Sequence, residues 1–255
     1  MGRHTVFFRC ARRIAVASAW VWAITTVATL TTAATPVLSA AARSAEATAP
    51  PVIRMKFVGN SAFLATDGHV TLAIDFPYRS GANGSPRYDF DTVRPTGIVV
   101  CLITHAHFDH FDPTRYMSTS WSLIAPPGLA YSLRTSGHEI FTIHEGKPVT
   151  FEGIRVDGFV TPHGDIEHYS YLVTWHGATL YVTGDAENAV ALHRVGHVDV
   201  ALVNIWLAQK MLDDGERVDA GRVVICHRRA GMKRPKYPEA IFPEPGQIIE
   251  IPGRR

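Results

Sequence analysis

Thr104-His105-Ala106-His107-Phe108-Asp109-His110 sets the reading of this 255-residue chain. The stretch places three imidazoles and a carboxylate directly after the apolar run Ile98-Val99-Val100-Cys101-Leu102-Ile103. An uninterrupted run of that length predicts a buried strand, here one that ends at a site. Side chains two apart on extended backbone point the same way, so His105 and His107 can bind one metal ion. Asp109 and His110 follow as the chain turns away and can face a second ion beside the first. The alternative, a solvated His-rich loop, accounts for neither the strand-end position nor the matching residues downstream.

Outward from the motif, the composition is that of a globular domain. With 46% hydrophobic residues the chain can bury a substantial core as one domain, and a net charge of +2 is too small to imply nucleic acid. Thirteen histidines are the unusual entry in the composition. Cys10, Cys101 and Cys226 form neither a disulfide framework nor a zinc-ribbon spacing. Cys101 and Cys226 lie on strands leading into the proposed site, so a bridge or a supporting role there stands beside the simpler reading of two buried free thiols.

The N-terminus is a different kind of sequence. Arg3, Arg9, Arg12 and Arg13 form a basic head, and no charge follows from Ile14 to Ala42. Residues 1–42 therefore read as an export signal, with small-residue cleavage sites at Ala40-Ala41-Ala42 and Ala45-Glu46-Ala47. An uncleaved membrane anchor is the alternative, since the stretch exceeds the roughly 20 residues that span a bilayer. Arg12-Arg13 faintly resembles a twin-arginine signal. In either case the globular part faces outside the cytoplasm. Residues 43–51, ending in paired prolines, read as a linker, and 52–255 as the folded domain.

From Val52 the chain breaks into short strands. Ile53–Val58 reads as the first, and Ser61–Thr66 and His69–Ile74 flank the hairpin signal Asp67-Gly68. Tyr78–Pro95 reads as a loop. Asp112-Pro113 opens a short helix, a capping carboxylate before an N1 proline. Leu123–Ala125 reads as a strand, Gly128–Ser136 as a helix and Glu139–Ile143 as a strand, an α/β alternation.

The second half repeats the first. Val149–Ile154 and Arg155–Val160 suggest strands, and Tyr171–Thr174 pairs with Thr179–Val182 across Trp175-His176-Gly177. Phe63-Leu64-Ala65-Thr66 aligns with Tyr171-Leu172-Val173-Thr174, and Thr71-Leu72 with Thr179-Leu180, at one constant offset. Each hairpin ends at an aspartate, Asp75 or Asp185. Two similar β-rich halves, with two sheets face to face, follow from this; chance similarity between two hairpins is the alternative. Ala186–Val195 then reads as a helix, Val198–Trp206 as a buried strand, Arg222–Cys226 as a strand delivering His227, and Gln247–Ile251 as a tail strand.

On these residues the chain resembles the metallo-β-lactamase superfamily. Thr-His-Ala-His-Phe-Asp-His looks like its HxHxDH signature. The hairpin to Asp75, His163 after Thr161-Pro162, Gly184-Asp185 and the strand-end His227 follow in the family's order. Within it, Gly59-Asn60-Ser61-Ala62-Phe63 and Asp75-Phe76-Pro77-Tyr78 look most like the branch that includes the ascorbate-phosphate lactonase. The resemblance implies a four-layer αββα sandwich with its site at one edge of two sheets. It also implies two divalent ions, zinc first, with manganese or iron also compatible with His and carboxylate ligands. His105, His107 and His163 would hold the first ion, and Asp109, His110 and His227 the second, with Asp185 bridging. A hydroxide shared by the ions would attack an ester, lactone, amide or phosphoester, and Asp109 would orient or accept its proton.

His168 stands close enough to His163 to be the third ligand instead, or a substrate contact, or a plain loop histidine. Lys210–Gly221 is short and acidic where relatives often carry a longer helix. Asp75 can orient a ligand histidine or merely form a turn. His69, His138, His144, His176, His193 and His197 sit at turns or element ends and are given no role. Arg79, Arg228, Arg229, Lys233, Arg234 and Lys236 would favour an anionic small-molecule substrate if they rim the site, and are otherwise a solvated basic loop. No nucleic acid partner is expected, and a membrane only if residues 1–42 stay attached. The competing function is a non-catalytic metal-binding or envelope-interaction protein that keeps the fold.

Overall fold

The computed structural model describes residues 51–229 and 231–254. The export-signal and linker expectations fall outside these residues, save for Pro51. Among the described residues no helix is long and apolar enough to cross a membrane.

The hairpin signalled by Asp67-Gly68 forms where the sequence predicts it. β1 (Val52–Gly59), β2 (Ala62–Thr66) and β3 (Val70–Ile74) are antiparallel neighbours. Asp67 Oδ1 holds the turn by accepting the His69 and Val70 N–H groups at 2.8 and 3.0 Å. β4 (Ile98–Leu102), β5 (Ser122–Ala125) and β6 (Ile140–Thr142) continue the sheet in parallel.

The second sheet has the same plan. β7 (Val149–Phe151), β8 (Ile154–Val160), β9 (Tyr169–Trp175) and β10 (Ala178–Val182) are antiparallel, and β11 (Val198–Asn204) and β12 (Ala220–Cys226) then add in parallel. β13 (Ile248–Pro252) pairs antiparallel with β1 and closes the first sheet. The duplication extends to the ladder itself. Phe63 opposes Ile74 and Thr66 opposes Thr71, while Tyr171 opposes Val182 and Thr174 opposes Thr179, at the constant offset of the sequence alignment.

Strand alternation sorts the side chains into layers. Ile53, Met55 and Phe57 of β1 point inward and meet Val156, Tyr171 and Val173 of the second sheet in one inter-sheet core. The outer face of the first sheet is covered by α1 (Phe90–Val93), α2 (Pro113–Met117) and α3 (Pro127–Ser132) through Phe90, Tyr116 and Ala130. The outer face of the second is covered by α4 (Val190–Val195) and α5 (Ile205–Asp213) through Leu192, Leu207 and Met211. Three cores between four layers make the expected αββα sandwich. Tyr171 ties its sheets together, donating its hydroxyl to the Ile103 carbonyl at 2.7 Å.

Several boundaries differ from the sequence reading. The loop Tyr78–Pro95 contains α1, because Asp89 caps it by accepting the Thr92 N–H. α3 and α4, six residues each, are shorter than Gly128–Ser136 and Ala186–Val195. The strand read through Trp206 stops at Asn204, whose side chain accepts the Leu207 N–H and starts α5. The helix sought in Lys210–Gly221 therefore begins upstream of it. Cys101 and Cys226 are buried free thiols in different cores, one on the outer face of the first sheet and one between the sheets, so no bridge forms.

Candidate metal centre

Four strands of the sandwich bring ligand-type side chains to this edge. β4 runs into Thr104 to His110, β10 into Asp185, β12 into His227, and the turn before β9 carries His163. One ligand-type atom from each of His105, His107, His163 and Asp185 falls within a single 4.8 Å group, and Asp109, His110 and His227 form a second. All seven residues singled out in the sequence are thus brought together. Asp185 lies between the groups: Oδ1 is 3.1 Å from His110 Nε2 and 3.4 Å from His227 Nε2, while Oδ2 is 3.7 Å from His163 Nε2 and 3.9 Å from His105 Nε2.

The tautomers are set from behind. Asp75, wholly buried, accepts the Thr104 N–H at 2.8 Å and the Thr104 hydroxyl at 3.0 Å, and its Oδ2 lies 2.8 Å from His110 Nδ1. The Thr104 hydroxyl in turn lies 3.0 Å from His105 Nδ1. Nδ1–H of His110 and of His105 therefore face the Asp75–Thr104 unit, and each Nε2 lone pair faces the centre. Of the two readings of Asp75, the orienting acceptor is what the geometry supports. Its resemblance to Asp185 ends there, since one aspartate sits behind the imidazoles and the other between them.

Whether this set suits a cation can be tested on its contacts. His105 Nε2 and His107 Nδ1 are 2.9 Å apart, His163 Nε2 and His107 Nδ1 3.2 Å, and His110 Nε2 and His227 Nε2 3.0 Å. Neutral imidazole lone pairs converge so closely only around a shared proton or a positive ion. Asp185 Oδ1 is buried with no hydrogen-bond donor among the described residues, although His110 Nε2 is near. An imidazole and carboxylate set of this kind fits two divalent ions.

Electrostatics divide the two groups. Burial pushes His105 well below the ordinary histidine range and lowers His163 as well. His110 is raised well above it, because Asp185 and Asp75 outweigh its burial, and His227 is raised against burial by Asp109 and Asp185. Burial is likewise overcome at both aspartates: His110 and His227 hold Asp185 well below the carboxylate range, and His227, His110 and Asn83 bring Asp109 down to about 2. Both carboxylates are ionised at neutral pH.

His168 is not an alternative ligand. It is buried, Nε2 accepts the Asp185 N–H at 2.9 Å, and Nδ1–H faces the Thr161 hydroxyl at 2.8 Å. Burial drives its pKa down to about 3, so it stays neutral and fixes the backbone of Asp185. Gly184 permits this contact. Its φ is +53°, and an added Cβ would lie 2.6 Å from His168 Nε2 and 2.8 Å from Thr104 Cβ. The histidines given no role lie outside the centre: His176 meets Asp67, and His138 meets Ser136 and Thr119.

The sequence reading did not single out four residues that shape the site. Asn60 Nδ2 donates to the Asp109 carbonyl at 2.8 Å, and Asn83 Nδ2 donates to Asp109 Oδ1 at 2.9 Å. Both lie in turns with positive φ, where asparagine is ordinary, so their residue type alone does not point to Asp109. Trp206 packs edge-on to His227 with ring centroids 4.6 Å apart, and with Met232 it lines a cavity of about 560 Å³ that reaches His107, Asp109 and Asp185. Of the basic residues, Arg229 lines this cavity. Arg228 and Arg234 pair with Glu244, and the Arg79 guanidinium lies 3.6 Å over the Phe108 ring.

Comparison with known proteins gives a consistent result. The family described as a beta-lactamase superfamily domain matches residues 82–237. The chain is similar to Igni18, a metallo hydrolase of the archaeon Ignicoccus hospitalis, at 17% identity and TM-score 0.60, covering 80% of this chain and 100% of that one. It is similar to the metallo-beta-lactamase fold protein YhfI of Bacillus subtilis at 12% identity and TM-score 0.62, over 78% and 99% of the two chains. An isothiocyanate hydrolase from Delia radicum gut bacteria aligns at 14% identity and TM-score 0.59, over 79% and 100%. At such identities the likeness is one of fold. A comparison with curated proteins finds no match.

Proposed function

This chain belongs to the beta-lactamase superfamily, and from that premise we propose that it is a binuclear metal-dependent hydrolase of a small-molecule ester, lactone, amide or phosphoester. The observation that carries the reading is Asp185, with one carboxylate oxygen toward each group of imidazoles. His105, His107 and His163 would hold one ion, Asp109, His110 and His227 the other, and Asp185 both. Such a pair, when bound, acidifies water toward neutrality and stabilises negative charge developing on a carbonyl or phosphoryl oxygen. Zinc suits the imidazole-rich set, and manganese and iron share its ligand types.

The chain's own groups do the positioning. Asp109 is held by Asn60 and Asn83 and faces the cavity. As an ionised carboxylate it can accept a hydrogen bond from the attacking water and aim it. Arg229 at the cavity wall favours a substrate that carries an anion. The basic head and long uncharged stretch of residues 1–42 support an exported, periplasmic or secreted location.

Elemental analysis of protein purified without chelator, with a hydrolysis screen over phosphodiesters, lactones and β-lactams, tests the reading. Two equivalents of metal, reduced by Asp185→Ala, and a loss of about 10²-fold or more in activity for Asp109→Asn are expected. Metal without hydrolysis would favour the non-catalytic metal-binding or envelope-interaction protein. Activity indifferent to Asp109→Asn would overturn the mechanism.

A further inference from the structure

The cavity at the metal centre does not end at Trp206. A second cleft of about 370 Å³ continues on the far side of Trp206 and Met232, which line both. Its floor is one face of α5, and its wall is the segment that follows His227. Ile205, Trp206, Met232 and Pro235 make its apolar surface, and Gln209 and Lys233 stand among its polar groups. Ile205, Trp206, Gln209, Lys210 and Asp213 share that helix face because their spacing follows the 3.6-residue period.

The charges in this cleft are not equivalent. The Lys210 ammonium is 2.6 Å from Asp214, and Asp213 Oδ1 accepts Gln209 Nε2 at 2.8 Å. Arg228 and Arg234 share the single carboxylate of Glu244. Lys233 lines the cleft and forms no ion pair among the described residues. A ligand running from the centre across Trp206 therefore meets apolar surface and then the unpaired Lys233 ammonium, with the Asp213 carboxylate, bonded to the neutral Gln209 amide, lining the same cleft.

Building on the hydrolase reading above, we propose that this cleft is a distal subsite for the same substrate. The ligand it takes is an apolar aryl or acyl segment that lies against Trp206 and Met232 and ends in an anionic group at Lys233. Together the two cavities have the size of an extended small-molecule site, beyond what a compact substrate fills. Trp206 couples the subsite to the centre, since the ring that seats the segment also packs against His227.

The test compares acetate, hexanoate and adipate on the zinc-loaded protein, as free acids by calorimetry and as p-nitrophenyl esters by hydrolysis. Adipate is expected to bind at least about threefold more tightly than hexanoate, a modest gain because Lys233 is exposed. The gain should shrink at high salt and vanish in Lys233→Gln. Trp206→Ala should remove the advantage of hexanoate over acetate. The ratio of kcat/KM for the adipate ester to that for the hexanoate ester should fall in Lys233→Gln. Equal binding of the three acids, or advantages that survive both substitutions, would overturn the subsite. The expected binding pattern without hydrolysis of any ester would leave the subsite standing and count against the hydrolase reading.

Discussion

Asp75 shows how one side chain can set two imidazoles that it does not resemble in role. It reaches His110 directly and His105 through Thr104, so one buried carboxylate fixes a nitrogen in each donor group. Asp75→Asn keeps an oxygen for the Thr104 N–H but can turn an amide donor toward His110 Nδ1. His110 would then carry its proton on Nε2, the nitrogen that faces Asp185. We expect zinc affinity to fall about 10- to 100-fold, measured by competition with a chromophoric chelator, with the folded circular dichroism retained. An unchanged affinity would return Asp75 to the status of a turn residue. The same scale explains what was missed. Asn60 and Asn83 are turn asparagines by sequence, and only their approach to Asp109 from distant turns gives them a task.

Among the elements, the β11–α5 junction bears most directly on the site. Asn204 is buried, caps α5 through Oδ1, and donates Nδ2 to the carbonyls of Gly184 and Ala186 at 2.8 and 3.1 Å. It thus binds the helix that carries Trp206 to the loop that carries Asp185. Asn204→Ala should cost about 2 kcal/mol by urea unfolding, from a lost cap and unpartnered buried groups. Asn204→Asp keeps the acceptor and loses both donations. With a buried carboxylate set against two carbonyl oxygens it should lose more stability than Asn204→Ala and also weaken zinc binding. A folded Asn204→Asp protein with unchanged zinc affinity would rule out the link. The apolar run from Val198 hid this junction. Continuous hydrophobicity marks a buried segment without saying where extended backbone gives way to helix, and Asn204 supplies the stop only because both its partners fold back to it.

Across the whole molecule, the two hairpin turns meet. Asp67 of the first lies 2.8 Å from His176 of the second. Its carboxyl is lowered against burial by the Val70 N–H, the His176 ring and the His69 N–H. With a folded pKa below the unfolded one, its contribution is fully present above the unfolded value and is lost as pH falls through the folded value. Asp67→Asn keeps the turn acceptor and removes the charge. The stability gap to wild type should therefore be at most about 1 kcal/mol near neutrality and close on acidification, followed by urea unfolding over descending pH. A gap that widened in acid would contradict the assignment. The two matching hairpins and the ligand motif were legible in the chain, because period-two alternation and HxHxDH spacing are local properties. By itself the sequence determined a two-sheet sandwich and a set of seven metal-ligand candidates. Only the tertiary structure decided that His168 stands behind Asp185, that Asp75 serves two imidazoles, that Arg229 alone of its basic run lines the central cavity and that Trp206 divides the cleft. Each of those depends on which strand ends lie side by side, with contacts of 2.8, 2.9 and 4.6 Å, and that is a property of pairing between segments separated in the chain.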